Sequence, residues 1–237
     1  MKIEKASDIL ITTIVLSWVA GYIDTAGFLG LNGLFTSHVT GNLVVAGAQL
    51  AGASGEEIWV RLAVVPVFIA AIVLTTTLSR IRHPKLSSFL WLQVVSLICF
   101  AWVGAVAIPD RNAAIAPLTM FAVGSIGVFA MGIQNALMRV SLGSLAPTTV
   151  MTGNLTQFTI DIARSLIIRD YQKLGDPELQ KREMQELRQR QIKFGVTLIG
   201  FILGAAFGAF FMKLINFWAI LLPAIAIAFL AIDSQRE

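Results

Sequence analysis

Long apolar segments constrain this sequence more than any other feature. Six of them reach the roughly 20 mostly apolar residues that a helix needs to cross a bilayer: 9–30, 59–79, 88–108, 116–138, 192–212 and 214–232. Hydrophobic residues make up 56% of the 237 residues and charged residues 14%, and the mean hydropathy is +0.77. The sequence therefore predicts an all-α integral membrane protein, and it excludes a soluble enzyme and a disulfide-rich domain.

Two further apolar segments are atypical of membrane spans. Residues 38–51 number 14 and would reach only about 21 Å as a helix. Residues 148–168 are long enough to cross, but they contain Asp161 and Arg164, which a lipid-facing span rarely tolerates and which are spaced to pair with each other. We interpret both as re-entrant segments, which enter and leave the membrane at one face, and leave open that 148–168 crosses.

The basic residues favour six spans over eight. With two re-entrant segments, Arg80–Lys85, Arg139 and the basic linker 169–193 all lie on the side of the N-terminus. Because basic loops remain in the cytoplasm, both termini are predicted to be cytoplasmic. Eight spans would place Arg80–Lys85 and Arg139 outside. The linker is predicted to be helical, and the basic residues form no face with interleaved aromatics, so a nucleic-acid partner is not expected.

An internal repeat divides the chain into two halves. Gly21–Asp24 is matched by Gly132–Asn135 at an offset of 111 residues, and the sequence Thr-Gly-Asn-Leu occurs at 40–43 and again at 152–155, an offset of 112. Each copy continues with two more spans, so each half, 1–112 and 113–237, contains three spans and one re-entrant segment. An odd number of spans inverts the second half relative to the first, as in many transporters.

The repeated motifs also carry a family resemblance. The stretches GYIDTAGFL, SHVTGN, GIQNALMR and VMTGNLT resemble the bacterial YoaK family, also called the DUF1275 or UPF0700 transmembrane proteins. The resemblance covers nearly the whole chain. It implies a six-span protein of the bacterial inner membrane with a transport role, and it supplies no substrate.

Polar residues predicted at mid-depth are the candidate site. A carboxylate inside a span costs roughly 2.5–3.5 kcal/mol, which makes Asp24 the first candidate; the alternative is that it holds the backbone of an irregular segment. The solute-binding candidates are Asp24, Thr40, Gly41, Asn42, Asn135, Thr152, Gly153 and Asn154, with His38 and Arg139 as accessory candidates. His38 has no second histidine or thiol at ligand spacing, so neither a metal nor a cofactor is predicted.

These observations predict a membrane transporter for a small polar or anionic solute, with proton coupling as an option and the two TGN segments lining the pathway. A passive channel of the same architecture is the alternative. A membrane enzyme is a weaker alternative, because the only conceivable catalytic pair is His38 near Asp24. An assembly protein that uses the linker as a docking helix is a further alternative. The predicted partners are the bilayer and the solute, and a homodimer is left open.

Overall fold

The computed structural model describes residues 6–52, 57–110, 113–143, 145–170 and 177–235. Every regular element in these ranges is helical, as the sequence predicts. The helices are α1 Ala6–Gly30, α2 Val39–Leu50, α3 Ile58–Ile81, α4 Leu86–Ala107, α5 Pro117–Val140, α6 Met151–Asp170, α7 Pro177–Ile215 and α8 Leu221–Asp233, and a 3-10 turn at Asn216–Ile220 joins α7 to α8.

By length and apolar character, five stretches of the described chain could cross a membrane: Leu10–Gly30, Ile58–Ile81, Leu86–Ala107, Pro117–Val140 and Lys181–Asp233. The first four match predicted spans. The fifth, of 53 residues, contains both of the last two predicted spans. Asn216, with a positive φ of 52°, separates α7 from α8, which has only 13 residues.

Glycines on α7 set the closest helix contact of the bundle. They recur at every fourth position and face backbone carbonyls of α1 in the same order, Gly200 at Ile14, Gly204 at Trp18 and Gly208 at Tyr22. Small residues at this spacing let two helices approach until their backbones touch. Because both series ascend together, α1 and α7 run parallel.

Contacts of α5 fix the direction of the other helices. Gln134 donates a hydrogen bond of 2.8 Å to the carbonyl of Leu16 in α1, while Gly124 packs against Leu34 just beyond the end of α1. The residue numbers of the α1 side rise from Leu16 to Leu34 while those of their α5 partners fall from Gln134 to Gly124. Helices α1 and α5 are therefore antiparallel. By the same reasoning α3 is parallel to α5, because the centroid of the Trp59 ring lies 5.5 Å from that of Phe121 and Ala71 packs on Gly132 further along.

The chain between α1 and α3 returns to the end of the bundle that it left. Arg61, near the start of α3, donates 2.7 Å and 2.6 Å hydrogen bonds to the carbonyls of Gly33 and Asn32, just after α1. The same guanidinium bonds Gln49 near the end of α2. The segment that holds α2 therefore begins and ends beside the start of α3.

Helix α6 is longer than its counterpart α2 because its second half packs antiparallel against the polar start of α7. Phe158 packs against Gly195, and one turn further on the buried Asp161 pairs with Arg190 at 3.2 Å. The predicted pair between Asp161 and Arg164 is therefore wrong, since the partner comes from α7. The predicted helical linker is confirmed from Pro177 onward; residues 171–176 lie outside the described part.

Basic residues of the described chain gather at one end of the bundle. This end receives the C-termini of α3 and α5 and the N-termini of α4 and α7, as the helix directions require. It carries Arg80, Arg82, Lys85, Arg139 and the α7 residues Lys181, Arg182, Arg188, Arg190 and Lys193. The opposite end carries Glu57, Arg61, Asp110 and Lys213.

Candidate functional site

Asp24 holds the backbone turn that precedes α2. Its Oδ1 accepts hydrogen bonds from the main-chain N–H groups of Thr36, Ser37 and His38, at 3.0, 2.7 and 3.2 Å. The His38 N–H is one of the donors that a helix start leaves without an intrahelical partner, and the other two belong to the loop before α2. Asp24 as a whole is 5% exposed. Its hydrogen bonds are those of the structural alternative, in which it ties an irregular segment to α1.

The second oxygen of Asp24 faces a histidine. Oδ2 lies 2.6 Å from Nδ1 of His38, and the His38 ring meets the edge of Phe201 in α7, with centroids 5.5 Å apart. The His38 side chain is 32% exposed whereas that of Asp24 is 7% exposed. The two candidates thus form one pair, of which only the histidine is accessible from outside the bundle.

The N-terminus of α2 lies alongside α1, before that helix ends. Asp24 precedes the last residue of α1, Gly30, by six positions, which corresponds to about 9 Å along a helix. The turn at Thr36–His38 therefore folds back along α1 before α2 begins at Val39. The partial positive charge of this helix end therefore lies beside the Asp24 carboxylate.

Asn42 and Asn154 make equivalent contacts in the two halves. The side-chain amide of Asn42 is fully buried. It donates a hydrogen bond of 2.8 Å to the carbonyl of Phe35 and accepts one of 2.9 Å from the N–H of the same residue. Asn154 donates 2.6 Å to the carbonyl of Pro147, again seven residues earlier. Proline has no N–H, so the second bond of the first half has no equivalent. Both asparagines of the TGN motifs brace the loop before their own helix.

Asn135 takes the place of Asp24 in the second half and does so without charge. Its Oδ1 accepts a hydrogen bond from the hydroxyl of Thr149, fourteen residues on, as His38 follows Asp24. Its Nδ2 donates 3.2 Å to the carbonyl of Met131. The two halves therefore share the arrangement and differ in the ionisable pair.

The remaining candidates lie on the outside of the bundle. Thr40, Thr152, Gly153 and Arg139 are exposed, and Gly41 packs against the ring of Phe35. The structure thus divides the TGN motifs into threonines that face outward and asparagines that face their loops. Among the described residues, no group of three histidine, cysteine, aspartate or glutamate side chains is placed to hold a metal ion.

A buried amide network lies beside the second loop. Gln134 is fully buried. Its side-chain amide donates a hydrogen bond of 3.0 Å to the hydroxyl of Thr148 and accepts one of 2.7 Å from Nε2 of Gln93 in α4. Oε1 of Gln93 is buried and has no hydrogen-bond partner. Sequence reasoning missed these glutamines, although an amide inside an apolar helix is the same signal that singled out Asp24.

Asn42→Ala is expected to destabilise the fold about twice as much as Asn154→Ala. The first change leaves both the N–H and the carbonyl of Phe35 without their partner, at about 1–3 kcal/mol each, while the second frees only the carbonyl of Pro147. The measurement is the folded fraction of each purified variant against the mole fraction of SDS in mixed micelles. Equal losses would show that the amides are not the main support of these loops.

The packed apolar helices define a multi-pass membrane protein of the helical class, with a polar loop–helix junction in each half. The chain belongs to the family described as "Protein of unknown function (DUF1275)", which matches residues 12–232. This match confirms the resemblance inferred from the repeated motifs. Neither a curated protein nor a solved structure matches the chain.

Proposed function

We propose that this protein transports a small polar or anionic solute across the bacterial inner membrane, along a path beside the inner ends of α2 and α6. The observation that carries the proposal is the pair of loop–helix junctions at Asp24 and Asn135, each of which places a helix N-terminus alongside the preceding long helix and not beyond its end. In transporters, such interrupted helices meet near the midplane, where their positive ends favour anionic groups.

The helix directions support six spans arranged as an inverted 3+3 repeat. Equivalent helices α1 and α5 are antiparallel, and the parallel contact of α1 with α7 has its equivalent in that of α5 with α3. Exchanging the halves therefore preserves the contacts. In this proposal α2 and α6 are the re-entrant helices, and α8 spans together with the 3-10 turn before it.

The concentration of basic residues at one end supports an orientation. Positive loops remain in the cytoplasm, so the end with Arg80, Arg139 and the start of α7 is proposed to be cytoplasmic. Both chain termini belong to this end if α2 and α6 do not cross. The antiparallel extension of α6 and α7 then stands in the cytoplasm.

The orientation predicts which side of the membrane each loop faces. In a Cys99→Ser background, cysteine at Ala51 is expected to react with an impermeant maleimide on intact cells, whereas cysteine at Ser88 or Ser141 reacts only after permeabilisation. All three positions are exposed. If α2 and α6 instead cross the membrane, the three reactivities reverse, and the re-entrant assignment fails.

Transport is tested with purified protein in liposomes and a panel of formate, acetate, lactate, glycerol and urea. We expect faster uptake of at least one of these than in protein-free vesicles. Modifying cysteines at Thr40 and Thr152 with a bulky thiol reagent is expected to block uptake, while the matched modification at Ala51 leaves it unchanged. Saturation with concentration indicates a carrier and linear flux indicates the channel alternative. Failure of the whole panel to exceed protein-free vesicles contradicts the proposal.

A further inference from the structure

The Asp24–His38 pair can change its charge by one unit without losing its geometry. Nδ1 of His38 lies 2.6 Å from Oδ2 of Asp24, a distance that requires a proton between them. With that proton on Nδ1, the pair carries a net charge of −1. A second proton, taken from water at Nε2 on the far side of the ring, brings the net charge to zero and leaves the contact in place.

We propose that Asp24 and His38 form a proton-binding site that sets the charge at the inner end of α2, and that uptake of the second proton at His38 Nε2 lets an anion approach. The solute part of this inference rests on the transport proposed above; the proton site does not. A charge of −1 repels an anion from the helix end, and a neutral pair removes that repulsion.

The described surroundings contain little that would mask this change of charge. Helix α2 has no ionisable residue, and neither has α5 between Pro117 and Met138 nor α7 between Lys193 and Lys213. In α1 the other ionisable group beyond Leu10 is Tyr22, whose hydroxyl bonds the carbonyl of Ala219. Arg61 of α3 bonds the carbonyls of Asn32 and Gly33 at the other end of the loop, where it also pairs with Glu57.

The second half provides a built-in comparison. Asn135 replaces the carboxylate, and Thr149 contacts it as His38 contacts Asp24. Its contact with Thr149 involves no group that titrates near neutral pH. A proton effect is therefore expected at the inner end of α2 and not at that of α6.

The proton site is tested first by ¹⁵N NMR of histidine-labelled protein in lipid nanodiscs. The chain has two histidines, and His83→Gln leaves His38 as the only signal. At high pH we expect the neutral ring to carry its proton on Nδ1, with Nε2 gaining a proton between pH 8 and 5. In Asp24→Asn the preference for Nδ1 is expected to disappear. A neutral His38 with its proton on Nε2, or no titration in this range, overturns the proposal.

The effect on anions is tested with charged thiol reagents. Thr40 follows His38 by two residues, so their Cα atoms lie within about 7 Å, and Thr152 is its equivalent in the second half. In a Cys99→Ser background, the ratio of reaction rates for an anionic and a cationic methanethiosulfonate is expected to rise about tenfold in Thr40→Cys between pH 8 and 5. Taking a ratio of reagents cancels the titration of the thiol itself.

The ratio at Thr152→Cys is expected to stay constant, as is that at Thr40→Cys when His38→Gln is added. Equal pH dependence at both cysteines, or persistence of the effect without His38, overturns the proposal. Neither experiment uses a transported solute. A negative result here therefore leaves the transport proposal standing, and failure of the liposome panel leaves the proton site standing.

Discussion

Asp24→Ala is expected to lower the free energy of unfolding by about 3 kcal/mol or more. Three main-chain N–H groups, those of Thr36, Ser37 and His38, lose their acceptor, and each unsatisfied buried donor costs about 1–3 kcal/mol. In lipid the cost is not relieved by water. The folded fraction against SDS in mixed micelles measures the loss, and near-UV circular dichroism shows whether the tertiary structure remains.

Two further variants separate the hydrogen bonds from the packing. Asp24→Asn keeps an oxygen acceptor for the backbone and is expected to cost about half as much. Asn135→Ala, the matched change in the second half, loses the bond from Thr149 and is expected to cost about 1 kcal/mol. If Asp24→Ala proves no worse than Asn135→Ala, the carboxylate is not what holds the loop before α2.

Gly204→Ala is expected to destabilise the protein by about 3 kcal/mol, although it adds a single methyl group to a helix. That group would collide with the carbonyl oxygen of Trp18 in α1. Both partners are helix backbone, so the contact cannot be relieved by a change of rotamer, and α1 and α7 must separate. The same unfolding measurement applies.

Gly47→Ala is the control for this substitution. Gly47 lies inside α2, and a methyl group there meets no atom within 4 Å. Replacing a glycine inside a helix by alanine then favours the helix by about 1 kcal/mol. A stabilised Gly47→Ala beside a destabilised Gly204→Ala would assign the effect to the α1–α7 contact. Equal effects would instead mean that the close approach is not rigid.

The sequence was informative about where polar chemistry would lie, and less so about how it is satisfied. The depth of Asp24 in an apolar run and the repeated TGN motif predicted the two loop–helix junctions. Nothing in the pattern indicated that Asn42 would turn both atoms of its amide onto Phe35. A side-chain amide can bind backbone or solute equally well, and the fold of the loop decides between them.

Contacts between residues that lie far apart along the chain also could not be predicted from the sequence. Asp161 has Arg164 at the right helical spacing, yet it pairs with Arg190, because the antiparallel packing of α6 on α7 brings that residue closer than its own helix does. The network of Gln93, Gln134 and Thr148 likewise joins two helices and a loop that only packing brings together.

The amino-acid sequence by itself determined that this chain is a bundle of apolar helices with a repeated Thr-Gly-Asn-Leu motif, since hydropathy and repetition are local and additive properties. The tertiary structure decided which helices run parallel, that α2 begins alongside α1, and that the Asp24–His38 pair meets its N-terminus there. Those outcomes depend on close backbone approach at glycines and on the need to satisfy buried N–H groups. Both are set by three-dimensional packing and not by residue spacing.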